Sequence, residues 1–245
     1  MNGNAALLIG LVLAGGTGFL ASWHGFGTVP PFVPVLAILV IAWPSFWALM
    51  QMLGKRQGLT VLALLGGLAL FVEMIGVLTG YPYGSFNYTG DLGWQFFALV
   101  PWTVPFAWVP LLLGSISLSF VDRFSVIRCS LRAAALLTLM DFVLDPGAVS
   151  VGLWRYANPG AYHDVPWTNF AGWLLVGFVA SMLLIRFVRS KTLVPELSLS
   201  AAWMMAFWTA VSLARGLWIP CFIGLFLVIF ISYRYTRRSR ATRIL

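Results

Sequence analysis

The sequence predicts an all-α protein, a bundle of about seven or eight helices that spans a membrane. Of its 245 residues, 60% are hydrophobic and only 9% are charged, and the mean hydropathy is +0.92. The apolar residues form nearly continuous runs, and most basic residues fall in every second gap between those runs. Soluble domains carry about 25% charged residues, so the composition excludes an ordinary soluble domain.

Eight apolar segments account for most of the chain. Most of them approach the ~20 residues that an α-helix needs to cross a bilayer, and the last two are shorter. The segments comprise residues 5–22, 32–52, 59–78, 94–120, 124–145, 167–187, 198–214 and 217–233. No soluble domain or low-complexity linker interrupts them, so we expect one integral membrane domain over residues 1–245.

Basic residues mark alternate connections between these segments. They are Lys55, Arg56, Arg123, Arg128, Arg132, Arg186, Arg189 and Lys191, then Arg234, Arg237, Arg238, Arg240 and Arg243. Only Arg155 and Arg215 lie in the other connections. Because Lys and Arg concentrate in cytoplasmic loops, both termini are predicted to be cytoplasmic and the loops near 79–93 and 146–166 to face outward. The basic residues behind the net charge of +8 are then expected to set the topology and to attract anionic lipid headgroups. We expect no nucleic-acid partner.

Three acidic residues, Glu73, Asp141 and Asp145, lie inside or at the edge of apolar segments. A carboxylate in hydrocarbon loses its hydration, so an intramembrane acid is a candidate functional residue. At about 1.5 Å per helical residue, all three reach the outer half of the membrane. Asp141 and Asp145 share a helix face, and Pro146 is predicted to end that helix directly after them. Close carboxyls resist simultaneous ionisation, so one is expected to hold the proton that a general acid requires.

The two long outward loops combine turn-forming residues with aromatic ones. Ring faces are suited to stabilising a carbocation, and the amides of Asn87 and Asn169 to orienting water. The candidate substrate-binding residues are therefore Tyr81, Tyr83, Tyr88, Trp154, Tyr156, Tyr162, Trp167 and Asn169. Interfacial anchoring is the alternative role for each Tyr and Trp, and helix capping or pairing with Arg155 is the alternative for the acids. No residues have the spacing of a zinc or haem site, so no metal ligand is assigned.

Several motifs resemble the membrane carotenoid 1′,2′-hydratase family of bacteria and archaea. They are Glu73-x-x-Gly76-x-x-Thr79-Gly80-x-Pro82-x-Gly84 with Tyr88, Asp141-x-x-Leu144-Asp145-Pro146, Gly152-x-Trp154-x-Tyr156 and Val165-Pro166-x-x-Asn169-Phe170-x-Gly172-Trp173. The likeness covers about residues 70–173. Within it, Tyr83 replaces an expected Phe and His163-Asp164 replaces a Gly-containing stretch, two departures that bear on substrate preference.

The resemblance implies an enzyme that adds water across the terminal C1′–C2′ double bond of an acyclic (ψ) carotenoid end group. A neutral carboxyl would protonate C2′, aromatic faces would stabilise the tertiary cation at C1′, and water would give a 1′-hydroxy carotenoid. Asp141 or Asp145 is the expected donor and Glu73 the ionised partner. The implied substrate is lycopene, γ-carotene or a C50 precursor, and no cofactor is needed. A location in the cell membrane and association with other carotenoid biosynthesis enzymes are also implied.

Two other functions fit the same residues. Asp141-x-x-x-Asp145 resembles the aspartate pairs that hold magnesium in membrane prenyltransferases, although a second Asp-rich motif is missing and few bases lie nearby. Buried carboxyls and proline-broken helices are also typical of proton-coupled transporters. A retinal-type Schiff base is not expected, because Lys55 and Lys191 lie at the predicted cytoplasmic ends of helices.

Overall fold

The computed structural model of the chain describes residues 3–24, 30, 32–89, 92–120, 124–188 and 193–244. Arg123, Arg189 and Lys191, three of the bases used to predict topology, lie outside these residues. The helices are α1 (Gly3–His24), α2 (Phe32–Leu53), α3 (Lys55–Thr79), α4 (Val104–Ser119), α5 (Val126–Ser150), α6 (Trp167–Val188), α7 (Leu199–Ala214) and α8 (Trp218–Ile244). The strands are β1 (Phe86–Tyr88), β2 (Gln95–Phe96), β3 (Val100–Pro101) and β4 (Trp154–Tyr156).

The helices form a polytopic membrane bundle, which confirms the predicted fold class. Six of them, namely α1, α2, α3, α6, α7 with the 3-10 turn before it, and α8, are long and apolar enough to cross a membrane. The helix α4 has only 16 residues, and α5 carries the polar side chains Asp141 and Asp145. Every residue of α4 from Trp108 to Ser119 is buried, as expected for a helix that is surrounded by others.

The helix α1 lies at the edge of this bundle and packs along α7. Gly10 and Gly18 allow the close approach: a Cβ on Gly10 would come within 1.9 Å of the Trp203 ring, and one on Gly18 within 2.4 Å of the Phe207 carbonyl oxygen. Ala14, which lies between them, is buried. Small residues spaced four apart are the usual means by which membrane helices pack backbone to backbone.

Two predicted helix boundaries are wrong, and each error has a local cause. The segment predicted at 94–120 becomes helical only at Val104, because residues 95–101 form the antiparallel β2–β3 pair. The helix predicted to end before Pro146 continues to Ser150. A proline there removes the backbone donor that the Phe142 carbonyl would use, and the Tyr162 hydroxyl donates to that carbonyl instead, at 3.0 Å.

The last helix is longer than the apolar segment 217–233, since α8 carries the basic tail as far as Ile244. Two basic residues of α8 donate hydrogen bonds to the end of α4. Arg234 donates to the Leu118 carbonyl at 3.2 Å, and Arg238 donates to the Ser117 carbonyl. These carbonyls belong to the last turn of α4, where backbone acceptors lack helical partners. The basic end of α8 therefore helps to cap the C-terminal end of α4.

A small antiparallel sheet covers the opposite end of the bundle. It pairs β1 with β4, with Phe86 opposite Tyr156 and Tyr88 opposite Trp154. Alternate residues of a strand point to opposite faces, so these four aromatic residues share one face. Asn87 and Arg155, which pair with each other, are exposed on the other face. The sheet thus presents an aromatic surface toward the helices.

Candidate functional site

A cavity of about 470 Å³ lies between the helices beneath the β1–β4 sheet. Side chains from α1 to α7 and from the sheet line it, and most of them are apolar. The few polar lining residues include Glu73 of α3, Asp145 of α5 and Asn169 of α6. The volume is within the range of about 300–1,000 Å³ that is usual for small-molecule sites. Two carboxyl groups from different helices therefore face one largely apolar space.

Asp145 has the most constrained carboxyl of the site. It is 3% exposed, and its Oδ2 accepts a hydrogen bond from the Tyr156 hydroxyl at 2.6 Å and another from Asn169 Nδ2 at 2.6 Å. Tyr156 reaches it from β4, and Asn169 from the first turn of α6. Three separate elements thus hold this carboxyl in one orientation at the cavity wall.

Asp141 lies behind Asp145 and does not line the cavity. It is fully buried, and its Oδ2 accepts a hydrogen bond at 2.7 Å from the same Asn169 nitrogen that contacts Asp145. Its Oδ1 is buried and has no hydrogen-bond partner among the described residues. An ionised oxygen without a partner would be costly in such a place, so this environment favours a proton on the aspartate pair.

Glu73 contributes the second carboxyl of the cavity. Its Oε2 accepts a hydrogen bond from the Tyr88 hydroxyl at 2.9 Å, so a residue of β1 orients a residue of α3. The described part of the chain shows no ion pair to Glu73 or to either aspartate, and Arg155 is exposed on the outer face of the sheet. The alternative in which Arg155 pairs with the acids is therefore not observed.

The two tyrosines that contact the carboxyls act as donors. Burial raises the pKa of Tyr88 well above its ordinary value, and the charge of Glu73 raises it further. Burial also raises the pKa of Tyr156, with Asp145 as the next cause. Both phenols consequently stay protonated at neutral pH. Each one supplies a polarised O–H to a carboxyl and an aromatic ring to the cavity wall.

Some of the residues predicted to bind substrate line the cavity and others do not. Those that line it are Tyr83, Tyr88, Trp154, Tyr156 and Asn169. Tyr81 and Trp167 are 78% and 61% exposed and lie outside the lining. Tyr162 also lies outside it, and its hydroxyl donates a hydrogen bond to the Phe142 carbonyl of α5. Asn87 is exposed away from the site, so it cannot orient water there as predicted.

The structure adds aromatic residues that the loop analysis did not include. Phe86, Trp108, Trp173 and Trp208 all line the cavity. Trp108 and Trp208 lie inside apolar segments, where a tryptophan cannot be distinguished from ordinary core by its spacing. Trp173 belongs to the Gly172-Trp173 motif, which was the available signal for it.

Tyr83 is held between two helices by glycines. A Cβ on Gly76 of α3 would lie 3.0 Å from the Tyr83 ring, and one on Gly172 of α6 would lie 2.7 Å from it. The ring itself is 3% exposed. Both glycines belong to the motifs that carry the family resemblance, and their role is to leave room for this aromatic ring.

The described residues contain no group of three His, Cys, Asp or Glu side chains that could hold a metal ion. The two aspartates are joined through the Asn169 amide, and their nearest polar neighbours are hydrogen-bond donors. Donors satisfy carboxylate oxygens that a hard cation would otherwise need as ligands. This donor set fits proton chemistry better than magnesium binding.

Comparison with known proteins gives the family of the chain. Residues 31–231 match the model of a family described as carotenoid biosynthesis protein. The chain belongs to that family. It is 36% identical over 183 residues to the bisanhydrobacterioruberin hydratase of Haloarcula japonica, an alignment that covers 70% of this chain and 60% of that relative. No solved structure matches the chain.

The family assignment confirms the resemblance that the motifs indicated. All three carboxyls and the β1–β4 sheet of this carotenoid biosynthesis protein lie within the matched residues 31–231. The helix α1 lies outside them, although it forms part of the cavity wall. The chain spans about three fifths of the length of the relative that it matches.

Proposed function

We propose that this protein hydrates the terminal C1′–C2′ double bond of an acyclic carotenoid end group. The observation that carries the proposal is that Glu73 and Asp145 face one apolar, aromatic-lined cavity inside a membrane bundle. The family of the chain and its similarity to a hydratase support the same chemistry. An apolar cavity suits a hydrocarbon end group, and the carboxyls supply the acid and base that hydration requires.

Asp145 is the proton donor in this proposal, and Asp141 a positioning residue. Asp145 lines the cavity and Asp141 does not. The Tyr156 and Asn169 donors both contact Oδ2 of Asp145 and fix the orientation of its carboxyl at the cavity wall. Asp145 holds the transferred proton. The π electrons of the double bond take this proton at C2′, and the positive charge develops at the tertiary C1′. Asp141 shares the Asn169 amide and keeps the pair from losing both protons.

The cation at C1′ is stabilised by the aromatic wall and by Glu73. Tyr88, Trp154 and Trp108 present rings to the cavity, and ring faces attract positive charge. Because an alkene is a very weak base, preorganised electrostatic stabilisation of the cation is essential. A water molecule then forms the C1′–O bond and gives up a proton to the Glu73 carboxylate. Transfer of this proton from Glu73 to Asp145 restores both carboxyls to their starting states, so the net reaction joins one water to one double bond.

Lycopene, γ-carotene or a C50 precursor has the end group that this reaction requires. These substrates dissolve in lipid, in agreement with a site inside a multi-pass membrane protein. We place the protein in the cell membrane, where it is able to associate with other carotenoid biosynthesis enzymes. The reaction as written needs no cofactor, because protonation and water addition involve no net oxidation or reduction.

Expression in a host that accumulates lycopene tests the proposal. Extracted pigments are analysed by mass spectrometry after growth with and without heavy-oxygen water. We expect a product heavier than lycopene by one water, with the label in its new hydroxyl group. A host that carries the vector alone is the control. A product heavier by a prenyl group would indicate a transferase, and unchanged pigment despite membrane-inserted protein would contradict hydration.

A further inference from the structure

The cavity is bounded on one side by residues of α1 and α2. Thr17, Leu20 and Ala21 of α1 line the cavity, and so do Pro34, Ala37 and Ile38 of α2. We call this set of six residues the portal. The helix α1 packs along α7, and its described residues make no extended contact with α2. Both helices thus bound the same cavity, although their described residues have few contacts with each other.

Residues on the α1 side of the portal face the cavity and the outside at once. Leu20 lines the cavity, yet 58% of its surface is exposed, and Thr17 is also exposed. A side chain that lines the cavity and is also exposed lies where the wall is only one helix thick. Together with the scarcity of contacts between the described residues of α1 and α2, this combination points to an opening of the cavity on the side of the bundle.

The portal lies at the depth of hydrocarbon. Thr17 is about 10 Å from the end of α1 at His24, and Ala37 is about 8 Å from the start of α2, at about 1.5 Å per residue. By the same count Glu73 lies about 9 Å from the end of α3. The opening and the carboxyl thus share a level well inside a hydrocarbon core that is about 30 Å thick.

We infer that the portal is a lateral opening through which a polyene chain reaches the carboxyls directly from the lipid phase. The inference rests on the proposed function for the identity of the occupant. With one end group at the carboxyls, the long rigid polyene of a carotenoid extends away from them, so the rest of the molecule needs an exit from the cavity. The hydrophobic effect opposes an exit toward water, whereas the portal leads into hydrocarbon.

A bulky substitution in the portal tests this route. Ala37→Trp narrows the opening from α2, and Ala21→Trp narrows it from α1. Leu36→Trp is the matched control, because Leu36 is adjacent on α2, is 56% exposed and does not line the cavity. Each protein is purified in lipid nanodiscs with lycopene, and the retained pigment is measured by absorbance. Turnover is measured for lycopene and for a short acyclic isoprenoid that carries the same end group.

We expect both portal variants to retain and convert lycopene about tenfold less than the wild type, with turnover of the short isoprenoid within about twofold. Leu36→Trp should behave as the wild type. Turnover of the short isoprenoid shows that the variants are folded. Wild-type lycopene retention in Ala37→Trp and Ala21→Trp would overturn the inference, and so would equal loss of both substrates in correctly folded protein.

Two further outcomes separate this inference from its alternatives. If the portal variants lose co-purified phospholipid but keep lycopene, the opening holds a lipid acyl chain and the inference is wrong. If the wild type retains more lycopene than the portal variants but hydrates neither compound, the proposed reaction is wrong and the inferred lateral opening is supported.

Discussion

At the scale of single residues, Asp141 and Asp145 differ in what surrounds them. They are one helical turn apart and share the Asn169 amide, but only Asp145 lines the cavity and contacts Tyr156. A group that transfers a proton to substrate must reach it, whereas a group behind the wall acts through its neighbour. We therefore propose different roles for two residues that sequence spacing leaves interchangeable.

Asp145→Asn should lower the rate of carotenoid hydration by at least about a hundredfold, because an amide is not a general acid. Asp141→Asn should lower it less, because an amide oxygen at 141 still accepts from Asn169. Glu196→Gln is a matched control, since Glu196 lies in the 3-10 turn (Pro195–Ser198) away from the cavity. Product formed per membrane-inserted protein gives the comparison. A larger loss in Asp141→Asn than in Asp145→Asn would reverse the assignment.

At the scale of secondary-structure elements, the hydrogen bond that Pro146 removes from α5 is replaced by a donor from outside the helix. Pro146 leaves the Phe142 carbonyl without an intrahelical donor, and the Tyr162 hydroxyl replaces it from the loop before α6. The Phe142 and Tyr162 rings also meet edge to face, with centroids 5.2 Å apart. This contact lets α5 continue past Asp145, so the carboxyl stays on a regular helix.

Tyr162→Phe should lower the free energy of unfolding by about 0.5–1.5 kcal/mol, because it removes the donor and keeps the ring. In a Pro146→Ala background the same substitution should lower the free energy of unfolding by a smaller amount, since the alanine N–H restores the helical hydrogen bond to the Phe142 carbonyl. Thermal unfolding in detergent of the two single variants and the double variant measures this coupling. Tyr81→Phe is an exposed control. Strictly additive effects would show that the Tyr162 bond does not replace the missing donor.

Gly76→Ala should lower both stability and hydration, because the added methyl group would displace Tyr83 from the cavity wall. Gly67→Ala is the matched control on α3: nothing lies within 4 Å of its Cβ position. There alanine should leave stability unchanged or raise it by up to about 1 kcal/mol through helix propensity. Thermal unfolding and product yield are measured for both. Equal effects of the two substitutions would exclude a packing role for Gly76.

At the scale of the whole molecule, the helices α1 to α8 place the site loops and most of the described bases at opposite ends. The β1–β4 sheet lies at one end, while the α2–α3 connection and the carboxyl end of α8 lie at the other. If the bases face the cytoplasm, the carboxyls lie in the outer half of the membrane. Orientation in the membrane thus remains a prediction from charge.

Cysteine labelling tests that orientation. In a Cys221→Ser background, Asn158→Cys should react with a membrane-impermeant thiol reagent in intact cells. Arg56→Cys should react only after the cells are permeabilised. Both positions are exposed, and the remaining native Cys129 is buried. The opposite pattern of labelling would invert the topology and place the site near the cytoplasm.

The motif residues were predictable as candidates, but their arrangement was not. Glu73, Asp141 and Asp145 stand out because acids are rare in apolar segments. Tyr81, Tyr162 and Tyr156 are indistinguishable by type and loop position, yet one is exposed, one supports α5 and one contacts Asp145. Their difference arises from strand register and from a carbonyl that Pro146 leaves unpaired.

Composition, hydropathy and the order of charges along the chain determine that this protein is a membrane helical bundle with three unusual acids. Those properties depend on each segment's own transfer into lipid, so they can be evaluated without knowing its neighbours. Only the tertiary structure decided that Asp145 and Glu73 share a cavity, that Asp141 lies behind the wall and that α1 and α2 both line that cavity. The reason is that these contacts join residues far apart in sequence, and packing between helices decides which of them meet.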